Sequence, residues 1–277
     1  MTSTPSDFAA PQKPLDRPQQ PRNRRFKFLR VMTALMMREI ASTDSRTSLG
    51  FLWQVIDPIA GIALLTLFFS IISRNPPLGT NFPLYYVTGV LPFNVFNTVT
   101  NKVSASVKFS KPLLEFPSVN IIDAIMARFV LNFVIQCTIF IIATWAIITV
   151  WHLRVIIDIP LAIESMCLAG LLGLGVGTFN SVLFVAYPFY ENTYGVITRP
   201  LFLASGIFFD ISMMPDWVQS WEAWNPTQMP VALMRAAFYP GANTSLASPF
   251  YVIMFSLIAG TLGLTTLRRF FRDALER

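Results

Sequence analysis

Phe51-Leu-Trp-Gln-Val-Ile-Asp-Pro-Ile-Ala-Gly-Ile-Ala-Leu-Leu-Thr-Leu-Phe-Phe-Ser-Ile-Ile72 is the stretch that decides the fold. Its one ionisable side chain is Asp57, four residues after Trp53. A bilayer core of about 30 Å needs about 20 apolar residues in a helix, and this run supplies them. Backbone groups in hydrocarbon must be bonded within their own segment, so a helix is the expected conformation. Five further stretches read the same way, at roughly 83–100, 129–150, 159–187, 194–213 and 248–267. Between them the basic residues alternate. With the N-terminus inside, the inner flanks hold Lys13, Arg17, Arg22, Arg24, Arg25, Lys27, Arg30, Arg38 and Arg46, then Lys102, Lys108, Lys111 and Arg128, then Arg199, then Arg268, Arg269, Arg272 and Arg277. Only Arg74, Arg154 and Arg235, of 21 Lys and Arg, fall outside. This bias predicts an all-α polytopic membrane protein with six transmembrane helices and both ends in the cytosol.

The bulk numbers agree. The chain has 277 residues, 53% hydrophobic and 13% charged, with a mean hydropathy of +0.53. That charged share is about half the usual soluble value and excludes an ordinary cytosolic domain. The net charge of +6 is explained by inner flanks facing anionic lipid, so nucleic acid is not an expected partner. The two cysteines, Cys137 and Cys167, sit inside apolar stretches and read as small buried hydrophobes. The single histidine, His152, lies at a span end, and no metal site is expected. No cleavable signal peptide and no nucleotide-binding region are expected: any ATP use requires another chain.

Residues 1–25 carry five prolines and read as a disordered cytosolic tail; 26–277 form the membrane domain. Phe28, Met32, Leu35 and Met36 recur at helical spacing with Arg30, Arg38 and Glu39 between them. This fits an amphipathic helix in the headgroup plane better than a plain basic flank. The loop 101–123 contains Lys108, Lys111, Leu113, Leu114, Glu115, Phe116 and Pro117, a mixed basic and apolar surface suited to docking. Gly173 and Gly177 have the small-residue spacing of closely packed membrane helices. Trp217, Trp221 and Trp224 share one face of a short segment between Pro215 and Pro226, suited either to an interfacial belt or to a gate. Arg128 and Glu164 lie near span ends and read as snorkelling side chains. Asn243-Thr-Ser245 matches a glycosylation sequon, of little weight alone. No Ser/His/Asp set or in-membrane carboxylate pair is present, so the chain does not read as an enzyme.

Several motifs, in order, resemble one family. Arg46-Thr-Ser-Leu-Gly-Phe-Leu-Trp53 followed by Asp57-Pro58 is similar to the start of the first span of type-2 ABC exporter permeases. Lys111-Pro-Leu-Leu-Glu-Phe-Pro117, Ile122-Asp123 and Ala127-Arg128 resemble the first cytosolic loop and third span of the branch that exports capsular and O-antigen polysaccharides. Ser205-Gly-Ile-Phe-Phe209, Met214-Pro-Asp-Trp217, Trp224-Asn-Pro226 and Met234-Arg235 resemble its outer re-entrant segment, between spans five and six. The resemblance covers about residues 35–275. The chain departs from the branch at Met229, Pro230 and Ala232, and at Asp210. The family implies a homodimer with two copies of a separate ATPase, which would bind ATP and Mg; this chain would bind no cofactor. It implies that Lys108–Pro117 seats in the ATPase. A lipid-linked polysaccharide would pass between two permeases in the bacterial inner membrane, with periplasmic or outer-membrane export proteins as further partners. A sugar's apolar face stacks on aromatic rings, which makes Trp53, Tyr85, Tyr86, Phe93, Phe96, Phe208 and Phe209 candidates for the path. Trp217, Trp221, Trp224 and Arg235 are candidates for an outer gate. The alternatives are a permease exporting a lipid or small amphiphile, and an ion-coupled carrier, which would need ionisable groups near the midplane of its helices.

Overall fold

A computed structural model describes residues 27–44, 50–73, 75–109, 120–244 and 248–276. The tail at 1–25 lies outside them. Among the described residues, nine α-helices of seven residues or more follow one another: α1 (Lys27–Asp44), α2 (Gly50–Ile72), α3 (Phe82–Ser104), α4 (Ile121–Val150), α5 (Ile159–Ala186), α6 (Pro188–Ala204), α7 (Asp216–Glu222), α8 (Gln228–Phe238) and α9 (Pro249–Glu276). No strand occurs among the described residues. Among the described residues, four helices are long and apolar enough to cross a membrane: Trp53–Ile72, Ile121–Val150, Ile159–Ala186 and Pro249–Arg269.

The ends of the helices are set by short polar side chains. The Oδ1 of Asn81 accepts from the Leu84 N–H at 3.0 Å and starts α3. Asn120 and Asp123 form a reciprocal capping box on α4. That box begins α4 eight residues before the apolar stretch at 129–150. Asp123 and Arg128 interrupt the apolar pattern there without ending the helix. Asp158 caps α5, with Pro160 in its first turn.

α3 lies at the centre, buried over most of its length, and packs on α2, α4, α5 and α8. α5 is held between α3 and α9, and glycines make this possible. A Cβ on Gly173 would lie 2.9 Å from Val99, and one on Gly177 would lie 2.8 Å from Val103, both on α3. On the opposite face, Gly175 meets the backbone of Ser256 on α9, and Gly263 of α9 meets the backbone of Phe179. The expectation that Gly173 and Gly177 serve helix packing is borne out. α2, in contrast, is mostly exposed, with Leu64 at 68% and Ile71 at 79%.

The fifth apolar stretch needs correction. The helix there runs from Pro188 to Ala204, not over 194–213. It ends in a turn in which Gly206 has φ +70°, a left-handed conformation that glycine adopts without Cβ strain. Arg199, placed by the sequence among the inner flanks, therefore sits about three turns into α6. α8, only 11 residues long and buried almost throughout, follows α7 and closes against α3 and α5.

Candidate functional site

Asn94, Asn97 and Asn101 occupy positions i, i+3 and i+7 of α3, so they share one face of the helix. Two neighbouring chambers open along that face. One, of about 660 Å³, lies between α2, α3 and α4 and is lined by Gln54, Asp57, Asn94, Thr98, Lys102 and Gln136 with several apolar groups. The other, of about 470 Å³, lies between α3 and α6 and is lined by Phe93, Asn94, Asn97, Asn101, Thr198 and Arg199. Asn94 and Phe202 border both. Within the groove the Nδ2 of Asn101 donates to the Oδ1 of Asn97 at 3.1 Å, and the Nε2 of Gln136 donates to the Oγ1 of Thr98 at 3.0 Å. The result is a polar stripe of amides and hydroxyls in an otherwise apolar helical protein, with Asp57, Lys102 and Arg199 as its charges. Such groups donate and accept hydrogen bonds without fixing a counter-charge. The amides were not among the residues picked from the sequence. They lie inside the apolar stretch 83–100 and the basic loop after it, and the signal that marks them is their helical spacing.

The aromatic candidates divide. Tyr85, Tyr86, Phe93 and Phe96 are buried in the core of the chain. Trp53 and Phe209 are half-exposed, and Phe208 packs partly against the core. Three of them join one aromatic chain: Phe93 meets Phe202 at 5.2 Å, Phe202 meets Phe208 at 5.4 Å, Phe208 meets Phe69 at 5.7 Å and Phe69 meets Tyr86 at 5.6 Å. This chain ties α2, α3 and α6 together behind the groove, and Phe93 is its only sequence-selected member that lines the groove.

At the tryptophan end of the molecule, Trp217, Trp221 and Trp224 are 69%, 78% and 76% exposed. The first two belong to α7, and Trp224 follows it in a turn. Arg235 does not stand with them. It is 5% exposed, its guanidinium donates to the carbonyls of Ile207 at 2.8 Å and Phe209 at 3.1 Å, and its Cζ lies 4.3 Å from the centre of the Tyr85 ring. Arg235 thus holds the turn after α6 against α3.

At the opposite, basic end, Lys108 pairs with Glu191 at 2.9 Å on an exposed surface. Lys111, Leu113, Leu114, Glu115, Phe116 and Pro117 lie outside the described residues. Arg128 overturns the snorkelling expectation. Its Nε is 3.1 Å from the Oε2 of Glu39 on α1, and both side chains are 8% exposed. Its Nη1 donates to the Lys102 carbonyl at 2.9 Å. Burial with a partner on another helix satisfies a guanidinium that would otherwise reach for water.

With this geometry in place, the comparisons with known proteins fall into line. The family model for the ABC-2 type transporter matches residues 30–239, and the chain belongs to that family. It is accordingly a transport permease and not an enzyme. It is 27% identical over 241 residues to the polysialic acid transport protein KpsM of Escherichia coli, covering 86% of this chain and 92% of that protein. It is 27% identical over 250 residues to the capsule polysaccharide export inner-membrane protein CtrC of Neisseria meningitidis serogroup A, covering 87% and 91%. Against the capsule polysaccharide export inner-membrane protein BexB of Haemophilus influenzae the identity is 24% over 247 residues, covering 87% and 91%.

Proposed function

We propose that this chain is the transmembrane subunit of an ATP-driven exporter that moves a lipid-linked capsular polysaccharide across the bacterial inner membrane. Two copies would face each other with their polar grooves inward, and two copies of a separate ATPase, carrying ATP and Mg, would bind the basic end. In this reading α3 and α6 are the two spans beyond the four that length and apolarity mark. α1 lies in the inner headgroup plane, both termini are cytosolic, and α7 and α8 form the outer re-entrant segment. The segment Lys108–Pro117 seats in the ATPase, and periplasmic partners take the polymer onward.

The amide-lined groove along α3 is the observation that carries the reading. Lipid-facing helices have no use for three asparagines on one face, because a polar group left unpaired in hydrocarbon is costly. A glycan presents hydroxyls that exchange hydrogen bonds with amides while it slides, and no single strong contact holds it. The named relatives transport such polymers, and the match runs through nearly their whole length. The test is surface polysaccharide per cell in a strain that depends on this permease. Asn94→Leu with Asn97→Leu should lower it by about tenfold at unchanged permease level, as expected when two hydrogen-bonding groups are lost from a path. Wild-type export in that double variant would overturn the assignment of the groove.

A further inference from the structure

α4 and α5 are both long and apolar enough to span, and they follow one another in the chain, yet they meet each other little. Between them lies a cavity of about 510 Å³. Its floor is Phe133, whose ring stands where a Cβ on Gly170 of α5 would be. Its back wall is Phe140, edge-on to Phe238 of α8 with ring centres 6.3 Å apart. Its roof is Ile157 and Ile159, and the Asp158 N–H between them donates to the Ala237 carbonyl of α8 at 2.9 Å. Ile141, Trp145 and Ile163 line it and are exposed, so the cavity is continuous with the apolar outer faces of both helices. It shares no lining residue with the polar groove: Gln136 borders the groove, while its neighbour Cys137 borders the cavity.

The lining side chains are apolar, aromatic or sulfur-bearing with one exception, Thr144. Thr144 is buried, and its hydroxyl has no hydrogen-bond partner among the described residues. A buried hydroxyl without a partner is costly. Water does not answer the need well, because a site with a single polar group gives it too few bonds. The dimensions point elsewhere. From Thr144 to Phe133, α4 rises about 16 Å at about 1.5 Å per residue. One leaflet supplies about half of a hydrocarbon core of about 30 Å. The cavity therefore has the depth of one leaflet's chains, with a lone hydroxyl near the roof, on the side where a chain joins its ester group. We propose that this cavity binds one acyl chain of a bilayer phospholipid, in the leaflet at the α8 end, with its ester carbonyl accepting from the Thr144 hydroxyl. The chain stands in for the missing α4–α5 contact and packs on Phe238, which supports α8. The site is independent of what the groove carries.

The experiment uses the permease–ATPase complex in dodecyl maltoside, titrated with a phosphatidylglycerol that bears a photoreactive diazirine midway along one chain. Crosslinked residues are mapped by mass spectrometry. Met166 lines the cavity and is 6% exposed, whereas Met254 on α9 is 40% exposed. Both lie within about two turns of the start of their helices, so they sit at similar depth. Label on Met166 should saturate, and label on Met254 should rise in proportion to lipid. Cys167→Phe puts a ring into the cavity from an exposed position, and should abolish the saturating label while leaving that on Met254 unchanged. Thr144→Val should raise the half-saturating lipid concentration by about fivefold, the size of one lost hydrogen bond. It carries the test if Cys167→Phe does not insert. Non-saturating label on Met166 that tracks Met254 would overturn the site and leave general lipid contact only. An unchanged half-saturation point in Thr144→Val would overturn the hydroxyl's part in it. Loss of the Met166 label on adding lipid-linked polysaccharide would assign the cavity to the anchor of that polymer and overturn the bilayer phospholipid as its occupant.

Discussion

Two arginines set the ends of this molecule. Arg128 and Arg235 are both buried, each lies over an aromatic ring, and each donates to at least one backbone carbonyl. A backbone carbonyl left unpaired in a buried site costs about 1–3 kcal/mol, so these contacts stabilise chiefly through what their loss would expose. For Arg235 the two carbonyls belong to the turn at Ile207 and Phe209, which has no regular ladder to bond it. Arg235→Met should therefore destabilise the protein by about 2–4 kcal/mol, since two acceptors lose their donor. Arg235→Lys should recover only part, because a single ammonium cannot reproduce the fork. Thermal unfolding of the purified protein in detergent checks both. From the sequence, Arg128 reads as a snorkelling cation near a span end and Arg235 as a candidate for the outer gate. Their partners, Glu39 at 89 residues' distance for one and carbonyls for the other, leave no trace in local pattern.

Among the elements, α5 shows how tightly the packing is set. Gly175→Ala would drive a methyl group into the backbone of Ser256, and backbone cannot rotate aside as a side chain can. A loss of about 1–3 kcal/mol is expected from such overpacking. Gly195 of α6 has nothing within 4 Å of where its Cβ would stand. Gly195→Ala should be neutral or stabilising by up to about 1 kcal/mol, the cost of glycine in a helix. The pair of melting temperatures, one lowered and one held or raised, tests the packing scheme.

The short helix α7 carries a different expectation. Its exposed tryptophans serve either as belt anchors or as a stacking gate. A gate needs ring area and the indole N–H, so Trp→Leu at 217, 221 or 224 should cut export by about two- to tenfold, and Trp→Phe by less. Equal export in all six variants would assign them to the belt. Most helices were legible from apolar length: 51–72 and 159–187 fall within a residue of α2 and α5. The turn after α6 was not. Ser205–Phe209 is as apolar as a span because Arg235, distant in sequence, supplies the bonds that a turn usually takes from water. α8 is too short to announce itself, and its burial comes from α3 and α5 rather than from its own periodicity.

At the scale of the whole molecule, a polar groove runs along the central helix, between a tryptophan end pinned by Arg235 and a basic end pinned by Arg128. The family resemblance was readable because short motifs keep their order over most of the chain. The groove was hidden because hydropathy averages three asparagines into the valines and phenylalanines around them. Aromatic residues drew attention instead, and four of those chosen are core. The central claim is that polysaccharide travels along this groove. A photo-crosslinking residue at Asn97, in the permease–ATPase complex transporting radiolabelled polymer, tests it most directly. Ile163, exposed on α5, serves as the control position. ATP-dependent labelling at position 97 and none at 163 is the predicted result. Labelling at 163 equal to that at 97, or no polymer captured at 97 during active transport, would contradict the account.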